Sequence, residues 1–282
     1  MRIPKHSFWA ISPNHMAQML DTLRAAPKAE LADLQRSAGP AQVDVLQGVA
    51  VIRISGVLVK ETNTWLRALG FISSRDIARQ VDIAARDESV GAIVLWIDSP
   101  GGSTDGISEL GDAVYAARAR KPIVAQVDGC CASAGYWVAS QTNKIYASKL
   151  DEVGSIGVRM LLYDLSKLFQ AEGVEPVVID TGKYKSAGAI GTEITDEHRA
   201  YFQDIVDKTF AEFIAVVGRG RNMQAAAVRN LADGRVWLAD DAKALGLIDG
   251  IQGLDATVGA MLGMLKQSRV RTARAKAARM GM

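Results

Sequence analysis

The sequence predicts an α/β fold on a parallel sheet. Three observations carry this: short apolar runs, amphipathic stretches at helical spacing between them, and glycine-rich turns where the runs end. Gly91-Ala92-Ile93-Val94-Leu95-Trp96-Ile97 is the most apolar of the runs and does not alternate with polar residues. A strand covered on both faces reads this way, and such strands belong to parallel sheets. Regular succession of strand and helix then implies crossover connections, which are right-handed in parallel sheets.

Residues 1–40 read as an arm. Ser12-Pro13-Asn14 resembles a helix start, with Met16, Leu20 and Leu23 following at helical spacing, and Ser37-Ala38-Gly39-Pro40 breaks the chain. Residues 48–60 are rich in β-branched residues and predict two strands, or one bent at Gly56. Residues 74–87 predict a helix with Ile77, Val81 and Ala84 inward. The strand at 91–97 follows, then a helix over about 105–119, a strand at 123–127 and a helix opening near Ser133. The second half predicts strands at 144–147, 153–158 and 175–179, with a helix at 162–170. A loop over 181–191 leads to Thr195, which suits the cap of a long helix with Tyr201, Phe202, Ile205, Val206, Phe210, Phe213, Ile214 and Val217 buried, ending at Gly218. Residues 235–237 and a helix at 239–245 close the body near Gly250. The expected organisation is an arm (1–40), a body (41–250) and a C-terminal helix with a basic tail (251–282).

With 282 residues, 49% hydrophobic and 23% charged, the chain has the composition of an ordinary globular enzyme. Its net charge of +2 is unevenly placed. Lys266, Arg269, Arg271, Arg274, Lys276 and Arg279 follow Leu265 with no acid among them, so the rest of the chain is mildly acidic. Such a tail is commonly a solvated helix end, and it also suits an acidic protein or nucleic acid. The two cysteines, Cys130 and Cys131, are neighbours, a strained geometry for a mutual disulfide, which favours a reducing compartment. No apolar run reaches the roughly 18 residues of a membrane span, and Pro4 and His6 interrupt the start where a signal peptide needs an apolar core. A cytoplasmic location is expected.

Two segments carry chemistry. Asp98-Ser99-Pro100-Gly101-Gly102 follows the buried strand, where α/β folds bind ligands, and its glycines let backbone N–H groups approach one closely. It also reads as a plain tight turn. Cys130-Cys131-Ala132-Ser133-Ala134-Gly135 sets a serine among small residues at a helix start. Ser133 is either a helix cap or a nucleophile with room for a substrate. The adjacent cysteines compete for that role, though in an apolar stretch they read as small buried residues. A serine nucleophile needs a base. The three histidines, His6, His15 and His198, all lie at positions that read as surface. A lysine serves if burial keeps it neutral, and Lys183 and Lys185 lie in a loop, where a solvated charge is the plainer reading.

Four motifs occur in one order: Asp98-Ser99-Pro100-Gly101-Gly102, Ala132-Ser133-Ala134-Gly135, Val153-Gly154-Ser155-Ile156-Gly157-Val158, and Gly182 followed three residues later by Lys185. Together they resemble the serine/lysine peptidases of family S49, the signal peptide peptidase A group, over about residues 45–250. Within it the short form and the entry strands at 47–59 are most similar to phage prohead maturation proteases. The resemblance implies a ClpP/crotonase-like spiral core of β-β-α units. It implies Ser133 as nucleophile, Lys185 as general base and Ser155 as the hydroxyl orienting that lysine. It further implies Gly102 and Ala134 as oxyanion N–H donors, with Gly101 and Gly56 beside the substrate. Membrane-bound members carry glycine where this chain has Ala134. No metal or cofactor is implied. A protein substrate is, with capsid or scaffold protein as the first expectation, and so is a homo-oligomer, in which serine and lysine meet either across subunits or within one chain. Alternatives are a peptidase for signal or membrane peptides, a crotonase-type acyl-CoA enzyme, and an inactive scaffold-binding module.

Overall fold

The computed structural model describes residues 9–11 and 43–279. The expected arm helix near Ser12 lies outside them. Strands β2 (Val43–Leu46) and β3 (Val49–Ser55) form a hairpin through Gln47 and Gly48, both at positive φ (51° and 91°), as the tightest hairpin turns require. β3 then runs parallel to β6 (Ala92–Ser99), from Val49 opposite Ala92 to Ser55 opposite Asp98.

The bend expected at Gly56 is a division between two sheets. Gly56 has φ +116°, and a Cβ there would lie 2.1 Å from the Gly70 carbonyl oxygen, so only glycine fits. The chain turns into β4 (Val57–Val59), which leaves the main sheet and pairs with β5 (Phe71–Ser73). The five-residue α1 (Thr64–Ala68) lies between these two, and α2 (Ser74–Arg86) follows, capped by Ser73, whose hydroxyl accepts from the Asp76 N–H at 3.1 Å. The next unit repeats the path. β6 ends at Ser99, β7 (Gly101–Ser103) enters the second sheet beside β4, and α3 (Ile107–Ala117) returns. The third unit has no short strand. β8 (Ile123–Ala132) passes through Ser133 directly into α4 (Ala134–Ser140). This strand, short strand, helix repeat is the β-β-α unit expected from sequence.

Further strands β9 (Lys144–Ala147), β10 (Glu152–Gly154), β11 (Val236–Leu238) and β12 (Gly250–Ile251) complete the main sheet. Its principal path runs β11-β10-β8-β6-β3-β2, antiparallel only at its two ends, with β9 against β8 and β12 against β9. The second sheet runs β1-β7-β4-β5, where β1 is Trp9–Ile11 of the arm. Ile93, Leu95 and Ile97 are wholly buried in the main core, while Val94 faces a smaller cluster on the other side of the sheet. Full burial of each such side chain contributes about 1.5–3 kcal/mol.

The second half continues with α5 (Ser166–Ala171), α6 (Asp196–Arg221) and α7 (Ala225–Leu231). Thr195 caps α6 as expected, its hydroxyl accepting from the His198 N–H at 3.2 Å. The expected apolar stripe is buried only at its far end, at Phe213, Ile214, Val216 and Val217. α6 also runs past Gly218 to a left-handed cap at Asn222, because Gly220 is the close-packing glycine: a Cβ there would lie 2.0 Å from the Ser140 carbonyl oxygen. After the short α8 (Ala239–Ala244), helix α9 (Leu254–Arg279) covers the sheet's other face, packing Leu254, Val258, Met261, Leu262 and Leu265 around Val49, Ala92, Val94 and Val124. Residues 266–275 of α9 are exposed.

Two expectations fail between β10 and α6. The strand placed at 153–158 stops at Gly154, because Ser155 turns to φ +50°. The strand placed at 175–179 does not form: residues 174–180 have no regular structure, and Val177 and Ile179 are 83% and 94% exposed. A short apolar run forms a strand only beside another, and the described residues place none there. The helix expected from 162 starts at Ser166, where Asp164 accepts from the Ser166 N–H (3.0 Å) and hydroxyl (2.6 Å).

Candidate active site

The third unit differs from the first two at one residue. Ser133 sits at φ 53°, ψ −117°, a region that residues with a Cβ seldom enter, and it is only 2% exposed. It stands where a helix cap would, yet has neither the extended backbone of a cap nor a capping bond from its hydroxyl. The surrounding backbone holds it there. Its N–H donates to the Gly154 carbonyl at 2.7 Å, and the Trp137 N–H donates to the Ser133 carbonyl at 2.9 Å. Such strain costs about 1–3 kcal/mol and persists only where the surroundings impose it.

Gly102 lies on β7, against which α4 packs. A Cβ on Gly102 would lie 1.9 Å from the Leu58 carbonyl oxygen, so the strand approaches β4 as bare backbone. Gly101 beside it has φ +109°. Ser99 ties these pieces together. Its hydroxyl donates to the Gly56 carbonyl at 2.7 Å, and the Gly56 N–H donates to the Asp98 carbonyl at 2.9 Å. The helix start meets the same residue: a Cβ on Gly135 would lie 3.1 Å from the Ser99 carbonyl oxygen. Ala134 is the first residue of α4, so its N–H has no partner within the helix. Gly56, Gly101, Gly102, Ser133 and Ala134 are therefore one connected group.

Ser155 joins this group through the backbone. It follows the Gly154 that holds Ser133, is 9% exposed at φ 50°, and donates its N–H to the Arg235 carbonyl at 2.8 Å. Two serines at positive φ thus lie one hydrogen bond apart along the backbone. Burial disfavours the thiolate that either cysteine would need as a nucleophile. Burial, aided by Glu152 and Asp98, pushes the Cys130 thiol up to about 12, and burial holds Cys131 well above its ordinary value, so both stay protonated.

Lys185 is elsewhere. It is exposed, and no hydrogen bond or ion pair joins it to Ser133 or Ser155. Its loop leans on the start of α6. Lys183 and the Tyr184 hydroxyl both reach Glu197, and Tyr184 stacks on Tyr201 with ring centroids 4.8 Å apart. α6 meets α4 further on, where Phe213 packs on Trp137 at 4.8 Å. From Tyr201 to Phe213 the helix rises about 18 Å. His198, expected at the surface, is half-buried in this same region, with its Nδ1 buried and unpartnered.

Sequence reasoning missed the parts that act through main chain. The Gly154 and Arg235 carbonyls fix the two serines, and no residue-type signal marks a carbonyl. Asp151 was missed too. Its carboxylate accepts from the Gly129 N–H (3.0 Å) and the Ser148 N–H (2.6 Å), holding the kinked end of β8.

No helix among the described residues is long and apolar enough to cross a membrane. Protease 4 of Salmonella typhi is 31% identical over 222 residues, covering 78% of this chain and 35% of that protein. The chloroplastic serine protease SPPA of Arabidopsis thaliana is 27% identical over 211 residues, covering 74% and 31%. Capsid assembly protease C of Escherichia phage lambda is 28% identical over 214 residues, covering 75% and 48%. The chain spans between about a third and about half of the length of these relatives. Among solved structures, an enoyl-CoA hydratase/isomerase family member aligns over 82% of this chain and 77% of its own, with TM-score 0.48 and 17% identity. The pattern of peptidase family S49 matches residues 116–267, more than half of the sequence and the whole stretch from Ser133 to Lys185. The chain belongs to peptidase family S49.

Proposed function

We propose that the chain is a serine endopeptidase whose nucleophile is Ser133 and whose general base is Lys185, supplied by a neighbouring copy. One observation carries the reading: a buried serine strained at a strand-to-helix junction, beside a strand edge that only glycine can form. Lys185 takes the proton of Ser133 as its Oγ bonds to a peptide carbonyl carbon. The N–H groups of Gly102 and Ala134 receive the developing oxyanion. The lysine then returns the proton to the leaving amine as the C–N bond breaks, and water hydrolyses the acyl-enzyme. Ser155 orients the lysine. A neighbour is required because Lys185 is exposed in the single chain, while a lysine acts as a base only when burial keeps it neutral.

The substrate we infer is capsid or scaffold protein during phage head assembly, on the strength of the similarity to Capsid assembly protease C. Similarity to Protease 4 supports a second reading, cleavage of signal or membrane peptides. A serine-reactive phosphonate tests the chemistry. It should label Ser133 and abolish turnover, and Ser133→Ala should lose at least about a hundredfold in activity with folding unchanged. Lys185→Ala should be equally inactive, and Lys183→Ala nearly normal. Labelling at another residue, or an active Ser133→Ala, contradicts the assignment.

A further inference from the structure

The second sheet has an occupant that the catalytic reading does not use. β1, residues Trp9–Ile11, pairs antiparallel with β7: Trp9 lies opposite Ser103, Ala10 opposite Gly102 and Ile11 opposite Gly101. β1 is the outermost strand, so without it β7 would be the edge of the sheet. A bare strand edge presents unpaired N–H and C=O groups to any extended peptide. This edge is unusual in three ways. It consists of Gly101, Gly102 and Ser103, so it offers main chain with little side chain. Its position is fixed, because Gly102 fits against Leu58 only without a Cβ. It also lies against α4, the helix that Ser133 opens, so whatever pairs with β7 runs past the candidate nucleophile.

Resting on the peptidase reading, we infer that the β7 edge is the acceptor strand for extended peptide substrates and that residues 9–11 of the chain's own arm act as a built-in pseudosubstrate filling it. The register supports this. The residue opposite Gly102, the candidate oxyanion donor, is Ala10, so the arm sets a peptide unit where the carbonyl under attack would lie. Substrate must displace the arm before it can pair. The device would keep the groove closed until a substrate at high local concentration competes the arm away.

The test uses the full chain carrying Ala10→Pro. Proline removes the N–H of residue 10 and fixes its φ, which weakens strand pairing without touching the body. With an unrelated chromogenic peptide as substrate, KM should fall about tenfold at unchanged kcat, the effect of freeing an edge occupied nine parts in ten. A synthetic peptide of residues 5–15 should inhibit this variant competitively, and the same peptide with proline at position 10 should not. Hydrogen exchange in a Ser133→Ala background gives a readout free of turnover: the amides of residues 101–103 should exchange about tenfold faster once Ala10→Pro is added. Unchanged KM together with unchanged exchange would overturn the inference and leave the peptidase reading standing. Faster exchange, with no turnover by any form and no phosphonate label on Ser133, would keep the docked arm and overturn its role as a pseudosubstrate along with the peptidase reading.

Discussion

The serine half and the lysine half of this chain are built on opposite principles. Around Ser133 the backbone is over-determined: a hydrogen bond from its N–H to the Gly154 carbonyl, two glycines that exclude any side chain, and a serine bracket at Ser99. Around Lys185 the contacts are exposed ones, made to the start of α6 by Lys183 and Tyr184. Residues 174–180 are irregular, and Leu161, Tyr163, Val177, Ile179 and Ile190 all face outward. A chain that buries Ile93 and Leu95 completely while exposing these has not run out of core. It carries apolar surface suited to being covered. Under the proposed function, the difference means that the electrophile-binding part is complete within one chain, whereas the base is presented to a neighbour.

The largest expected effect attacks the rigid half. Gly102→Ala forces a Cβ to within 1.9 Å of the Leu58 carbonyl oxygen, so β7 must move away from β4. Peptidase activity should fall by more than about a hundredfold, as for a lost oxyanion donor, with a visibly lower Tm. A wild-type Tm and rate would show that the strand contact is not what positions the donor.

A second variant separates stability from chemistry. Asp249 is partly buried, which by itself raises its carboxyl. Hydrogen bonds from Arg221 (2.7 Å), Lys144 (2.8 Å) and the Ile145 N–H (2.8 Å) outweigh this and leave it below the usual carboxylate range. A depressed folded pKa stabilises above the unfolded value, and that stability is lost as pH falls through the folded one. Asp249→Asn should cost about 3 kcal/mol at neutral pH, because Arg221 is left buried without its partner. The deficit should shrink below about pH 4, where wild type loses the same pair. A deficit independent of pH would contradict the linkage.

The smallest effect on the single chain belongs to the exposed half. Val177→Ser with Ile179→Ser should change unfolding free energy by no more than about 0.5 kcal/mol, since both side chains already face water. The same pair should shift the oligomer toward monomer in sedimentation and reduce peptide turnover. If assembly and turnover are untouched, this surface covers something other than a second copy.

How much was legible follows the same division. The strands at 92–99 and 123–132 announce themselves as apolar runs because both faces of the sheet are covered, and the helices at 74–86 and 107–117 by apolar residues at helical spacing. Ser133 was legible as a candidate from its small neighbours, but its positive φ was not, because its N–H is held by a carbonyl of β10. The segment 175–179 misled for the converse reason. Its apolar run Val177-Val178-Ile179 is real, but no strand among the described residues pairs with it. Tyr201 misled likewise, as an apolar position on a helix face that this chain alone does not cover.

Complementation tests the central claim, that a complete site needs two chains, most directly. Ser133→Ala and Lys185→Ala proteins, each inactive, are dissociated, mixed in equal amounts and reassembled. Random pairing leaves about a quarter of the interfaces with an intact serine facing an intact lysine, so about a quarter of wild-type turnover should return. No recovery, with mixed oligomers verified by native mass spectrometry, would mean that each chain carries its own serine and lysine together.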